Sequence, residues 1–346
     1  MFTGRVAVVG AGGPVVAAFL ARGIESVGAE RLVVVDSVAP TAPTTEFRHA
    51  SGPAAIAGAI TGCDTVVYFG LDAPCGPDTA TRAGASPEAP DIVDAVSAAL
   101  AARSTPTRLV VVSSAQTYGA WANNPVPLTE AAPLRPNEDA PDAARLAEIE
   151  RRLRPRADSA GPDVAVLRAA TVLGPGVWAE SCAELLDAGR VGPVGGRPVR
   201  QFVHVDDLAA AAWHCLEFGL SGVYNVASDG WLTPEEVDAM ARRRAPSVRL
   251  RPDEYRRWLE LRRPGSQKVG AAELARHMYP CVVATTRIAA SGFRPAHTNA
   301  EVLGSGLDAA ARWHTQVRRA RRAARAPIGV GAAVVVGALW AARRRH

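Results

Sequence analysis

A doubly wound, parallel α/β sheet is the fold class predicted by this 346-residue sequence, on three observations. First, Val6 to Val9 is a short, wholly apolar run, as expected of a strand buried on both faces. Second, Gly10, Gly12 and Gly13 follow at once, and from Pro14 the pattern turns helical. Third, strand-like and helix-like stretches then alternate as far as Arg168, the sign of parallel strands joined by helical crossovers.

The opening turn has a physical use. Glycine carries no Cβ to forbid positive φ, so the chain reverses sharply there. Proline is tolerated in a first helical turn, where its missing N–H has no helical partner. Free amides and the helix dipole then point at one place, where a pyrophosphate fits. The next strand, Arg31 to Asp36, ends in a carboxylate some 20 residues after the glycines, where a dinucleotide fold places the acid that bonds the adenosine ribose. A 2′-phosphate beside Asp36 would meet like charge, at a cost of about 1–4 kcal/mol at roughly 4 Å. NAD is therefore expected as cofactor, ahead of NADP. Gly10, Gly12, Gly13, Asp36, Phe69 and Gly70 are the candidate cofactor-binding residues.

The elements follow in order. A weak strand is expected at Thr45 to His49, a short helix at Ala54 to Ile60 and a strand at Asp64 to Phe69. Gly70 to Pro90 reads as a long surface loop beside the cofactor, and Asp91 to Arg103 as a helix. Thr107 to Ser114 is a strong strand ending in two serines. The helix Asp142 to Leu153 and the strand Asp163 to Arg168 come next. Asp206 or Asp207 is expected to cap a helix from Leu208 to Glu217, and Thr233 to cap one entered through Pro234. His204 with Asp206 and Asp207 is read as part of that strand-to-helix passage, with no metal.

Four stretches, in this order, resemble the extended short-chain dehydrogenase/reductases of the NAD-dependent epimerase/dehydratase type. Gly10-Ala-Gly-Gly13 resembles the family's G-x-x-G-x-x-G turn, with Val16 at the third glycine. Ser113-Ser-Ala-Gln-Thr-Tyr-Gly119 resembles the serine-bearing strand end that closes in Tyr-Gly. Leu167 to Gly176 resembles the run that ends in Gly-Pro-Gly, and Gln201 to Asp207 with Gly222 to Val226 resembles a later pair. The resemblance covers roughly residues 5 to 300 and implies a Rossmann-type domain over 1–176, with 198–230 returning to it. It further implies a smaller substrate lobe from 177–197 and 231–300, and a nucleotide sugar or similar alcohol as substrate.

The same resemblance implies a catalytic trio of serine, tyrosine and a lysine four residues after the tyrosine. Ser114 fits the serine. Aligning Ala147-Glu-Ile-Glu150 with the family's helix puts Asp142 at the tyrosine and Leu146 at the lysine, while a slip of one residue offers Pro141 and Arg145. No Tyr-x-x-x-Lys occurs in the chain. Asp142 is a candidate base only if burial lifts it far from its ordinary pKa of about 3.9, against about 10 for tyrosine. Leu146 can replace an ammonium in no role. Weak or absent hydride chemistry is expected, with a catalytically silent module that senses NAD or scaffolds partners as the alternative. A membrane-associated steroid or lipid alcohol dehydrogenase is a third reading, and it needs the missing pair too. Tyr118 is read as a wall or support residue.

Charge and cysteine usage bound the rest. The net charge of +5 is concentrated late, in Arg312, Arg318, Arg319, Arg321, Arg322, Arg325 and Arg343 to Arg345, and no nucleic-acid motif accompanies it. Five widely spaced cysteines without C-x-x-C suggest neither disulfides nor zinc, and fit a reducing cytoplasm. The first core strand starts too early for a signal peptide. The last segment, 301–346, is a basic helix leading into an uncharged stretch at about 326–342, which would span about 25 Å as a helix. With Trp340 and flanking arginines at headgroup level it is expected to anchor the protein to the inner face of a membrane. An Ala/Gly helix packed on the domain or lying on the membrane surface is the alternative. A homodimer is a further candidate assembly.

Overall fold

The computed structural model describes residues 4–10, 12–37, 39, 46–70, 88–105, 107–153, 162–177, 182, 191–241, 248–262 and 268–324. Seven parallel strands form the central sheet: β1 (Val6–Val9), β2 (Leu32–Asp36), β3 (Glu46–His49), β4 (Thr65–Phe69), β5 (Arg108–Ser114), β6 (Asp163–Ala169) and β10 (Gly222–Val226). Their spatial order is β3-β2-β1-β4-β5-β6-β10. The order reverses at β1, so a crevice opens beyond its carboxyl end. Every residue of β1 and β4 is buried, as the unbroken apolar runs require.

Helices cover both faces. α1 (Pro14–Val27) lies on one, joined there by the later helix α5 (Val205–Glu217). Trp213 of α5 stacks on Phe19 of α1 at 4.7 Å between ring centroids and donates its indole N–H to the Phe19 carbonyl at 2.8 Å. On the other face are α2 (Pro53–Ala59), α3 (Ala89–Ala101) and α4 (Pro141–Leu153), whose Ile56, Val96, Leu146 and Ile149 meet Val9, Val35 and Tyr68 of the sheet.

The smaller part is built from short pieces. β7 (Thr171–Leu173) pairs with β9 (Phe202–His204), and β8 (Val191–Pro193) pairs with β11 (Val248–Leu250). α6 (Pro234–Met240) starts in a capping box, Thr233 with Glu236. α7 (Pro252–Arg262), α8 (Ala271–Met278) and α9 (Thr286–Ala290) follow, and α10 (Asn299–Ala324) packs its first turns on Leu173 and Phe202.

One helix start differs from the sequence expectation. α5 begins at Val205, and its cap is His204, whose Nδ1 accepts from the Asp206 amide at 3.3 Å. Asp207 is buried and turned elsewhere: it accepts from the Ala296 and His297 amides at 2.9 and 3.0 Å, fastening the closing segment to α5. Residues 71–87 of the expected loop Gly70 to Pro90, and the apolar stretch 326–342, lie outside the described residues, while α3 begins at Ala89, two residues before the expected Asp91, with Pro90 in its first turn. Among the described residues, no helix is long and apolar enough to cross a membrane.

Candidate functional site

The glycine turn stands where the sheet order reverses. Gly10 and Gly13 have φ of 82° and 94°. A Cβ on Gly10 would stand 2.7 Å from the Phe69 carbonyl oxygen, so the turn lies tight against the end of β4. Gly12 is exposed and Gly13 half-buried, which leaves the turn open to a ligand. α1 starts with Pro14 at its first position, no acidic residue in its first turn and, among the described residues, no side chain capping it. Its first amides and its dipole therefore face the crevice, a donor set that suits a pyrophosphate. Asp36 is half-buried at the end of β2, and its Oδ1 accepts from the Ser37 amide and hydroxyl at 2.5 and 3.1 Å.

Phe69 and Gly70 lie beneath this crevice. The Phe69 ring meets Phe19 edge-on at 5.4 Å inside the core. The buried Gly70 gives its amide to the Val112 carbonyl at 3.0 Å. Both hold the floor in shape.

Ser114 ends β5 and is nearly buried. Its Oγ accepts from the Gln116 amide at 3.2 Å and so caps the 3₁₀ turn Ala115–Tyr118. That turn forms one wall of a cleft beyond the ends of β5 and β6, completed by Asn137, Thr171, Arg200, Arg276 and Tyr279. The cleft carries two guanidinium-bearing residues and several hydrogen-bonding groups, the composition expected for a polar, anionic small molecule. Cys281 also borders it, but burial pushes its thiol up to about 12, and it donates to the Ala115 carbonyl. It is no nucleophile at neutral pH.

The expected base is placed differently from what its role needs. Asp142 sits in the first turn of α4 with about two-thirds of its side chain exposed, ion-paired to Arg145 at 2.9 Å. The burial that would turn it into a base near neutral pH is missing. Leu146 is 2 % exposed, and its Cδ2 would stand 2.7 Å from a Cβ on Gly70. Where the resemblance implies an ammonium, the chain has packed hydrocarbon.

A buried polar chain runs below the cleft. Ser113 donates to Glu150 at 2.6 Å, and Glu150 accepts from Arg168 through Nε at 2.7 Å and through a second nitrogen at 2.6 Å. Arg168 donates to the Tyr118 hydroxyl at 2.6 Å, which donates in turn to Asn225 at 2.8 Å. Burial pushes the Tyr118 phenol above its ordinary pKa, only partly offset by Arg168. Tyr118 is thus a support that ties β5, β6 and β10 together under the cleft. Sequence reasoning gives neither Glu150 nor Arg168 a role, although both lie in stretches that carry the family resemblance. The sequence does place Glu150 on the α4 face that carries Leu146, Ile149 and Leu153, which marks it as buried but does not name its partner.

Residues 6–227 match the NAD dependent epimerase/dehydratase family. No curated protein matches the chain. Among solved structures, the UDP-glucose 4-epimerase of Thermus thermophilus in complex with NAD is 20% identical, with a TM-score of 0.60 over 89% of this chain and 99% of that one. The UDP-glucose 4-epimerase of Thermotoga maritima with UDP-glucose is 16% identical, with a TM-score of 0.62 over 90% and 99%. A dTDP-glucose 4,6-dehydratase double mutant from Streptomyces venezuelae, with NAD bound, is 22% identical, with a TM-score of 0.61 over 91% and 98%.

Proposed function

The chain belongs to the NAD-dependent epimerase/dehydratase family, and from that premise we propose that it binds NAD at the glycine turn and a nucleotide sugar or similar alcohol in the adjoining cleft. The observation that carries the first half is the positive-φ Gly10 and Gly13 at the start of α1, which no described side chain caps, with Asp36 at the end of the neighbouring strand. NAD in two of the similar structures and UDP-glucose in a third support the same assignment. When bound, the cofactor supplies a hydride acceptor. The chain's own part is to hold the pyrophosphate on the α1 amides, to bond the adenosine ribose through Asp36, and to seat the sugar near Ser114.

Proton transfer is the deficient step. Oxidising an alcohol needs a group that takes the hydroxyl proton, and Asp142 is exposed and bound to Arg145 while Leu146 is packed hydrocarbon. Ordinary turnover is therefore weak or absent, and the second reading, a cofactor-sensing or scaffolding role, follows from the same two residues. Wild-type protein with NAD and UDP-glucose should show negligible conversion of the sugar, followed by chromatography of the product because a hydride returned to the sugar leaves no net reduced nicotinamide. The double variant Asp142→Tyr/Leu146→Lys should gain it. Normal turnover by the wild type would overturn the deficiency.

The arginine-rich end of α10 and the apolar stretch 326–342 support tethering to an anionic membrane surface. Truncation after Ala324 should move the protein from the membrane fraction to the soluble one. An unchanged distribution would contradict the tether.

A further inference from the structure

One wall of the cleft is a helix that does not cap itself. α8 carries Arg276 and runs into Tyr279, both on that wall, and its N-cap is Gly270, which has no side chain to offer. The cap comes from far along the chain. Asp139, 133 residues before Ala272, accepts from the Ala272 amide at 2.5 Å and sets a carboxylate against the positive end of the helix. Gly270 makes room for it: a Cβ there would stand 2.0 Å from Oδ2 of Asp139.

Asp139 itself stands between two residues of the cleft's other wall. The Asn137 side chain accepts from the Ala120 amide at 3.0 Å and donates to the Ala120 carbonyl at 3.3 Å, while the Ala140 amide donates to the Asn137 carbonyl at 3.1 Å. Ala120, Asn137 and Ala140 all line the cleft. The same stretch of chain holds the segment that leaves α8: Asn124 donates to the Pro280 carbonyl at 3.2 Å, and the Leu128 amide to that of Val282 at 2.8 Å. The rear of α8 is therefore moored by backbone pairing, and Asp139 moors its front. Asp139 is exposed, so water competes for this bond and its loss leaves the core intact.

We propose that Asp139 is a positioning residue for the cleft's ligand: by capping α8 from the opposite wall it fixes where the Arg276 guanidinium meets an anionic substrate. The inference rests on the cleft being the nucleotide-sugar site, and it leaves the cofactor seat untouched. Asp139 acts through α8 and not by touching the ligand, whose negative charge its own would repel.

Calorimetric titration of the full chain with UDP-glucose tests this, with NAD as the control. Asp139→Ala should weaken UDP-glucose by about three- to tenfold, part of what one charged hydrogen bond is worth, and leave NAD affinity unchanged. Asp139→Asn keeps an acceptor for the Ala272 amide and should recover most of the loss. Gly270→Ala pushes the carboxylate away from the other side, at a φ of −72° that alanine accepts, and should weaken UDP-glucose too. In an Arg276→Met protein, Asp139→Ala should add less than about a twofold loss, because the residue it positions is gone. UDP-glucose affinity equal to wild type in Asp139→Ala overturns the proposal. So does an undiminished further loss in the Arg276→Met protein, or an equal loss for NAD, either of which would make Asp139 a support of the fold. Wild type that binds no UDP-glucose removes the cleft assignment, and this one with it.

Discussion

Glu150 and Arg168 form a buried ion pair that joins α4 to β6. Their side chains are 2% and 3% exposed, and each has further partners in Ser113 and Tyr118. Removing one ion of such a pair strands the other, at a cost of about 3–5 kcal/mol. Glu150→Ala should show that loss in urea unfolding, and a change under about 1 kcal/mol would contradict the role given to the pair. Gly10 is equally open to test. Gly10→Ala adds a Cβ against the Phe69 carbonyl at a φ of 82°, so NAD binding should be lost together with roughly 1–3 kcal/mol of stability. Preserved NAD affinity in a folded Gly10→Ala protein would count against the turn as the pyrophosphate seat. The glycines were legible because only their residue type permits the turn. The ion pair was not, because nothing local in the sequence says that Glu150 and Arg168 face each other across α4 and β6.

Among the elements, β1, α1, β4 and α4 follow the sequence closely because apolar runs and helical spacing mark them without help from distant contacts. The start of α5 did not: the sequence offers Asp206 and Asp207 as caps, and tertiary contacts engage Asp207 elsewhere while the helix begins earlier, at Val205. Asp207 is drawn away by the Ala296 and His297 amides, leaving His204 to cap. That choice makes the helix start sensitive to pH. Burial, and the His297 ring stacked at 3.8 Å, hold the His204 imidazole below its ordinary pKa, against the pull of Asp206 and Asp207. A histidine lowered in the folded state contributes stability that is present above its unfolded pKa of about 6.5 and is lost as pH falls through the folded value. Protonation also removes the lone pair that accepts from Asp206. The melting temperature should drop between about pH 7.5 and about pH 5.5, and by less in His204→Asn, which keeps a cap without a titrating ring. Equal drops in both proteins would contradict this origin.

At the scale of the molecule, the strands lie in the order β3-β2-β1-β4-β5-β6-β10, a doubly wound parallel sheet of the class the alternating pattern predicts, and its reversal at β1 marks where a ligand can lie. The smaller part was less legible, because β8 and β11 are three residues each and are paired across a long stretch of chain. The site divides in the same way. Its cofactor side is written locally, in one turn and one strand end, and the cleft beside it is assembled from Gln116, Thr171, Arg200 and Arg276, far apart in the chain. The proposed cofactor seat lies beyond the carboxyl end of β1, with the carboxylate of Asp36 closing the neighbouring strand. Calorimetry of the full-length protein with NAD and with NADP probes that directly. NAD should bind, and NADP should bind about tenfold or more weakly because its 2′-phosphate meets Asp36. Equal affinity for the two, or no heat with either, would contradict the assignment of the crevice as an NAD site.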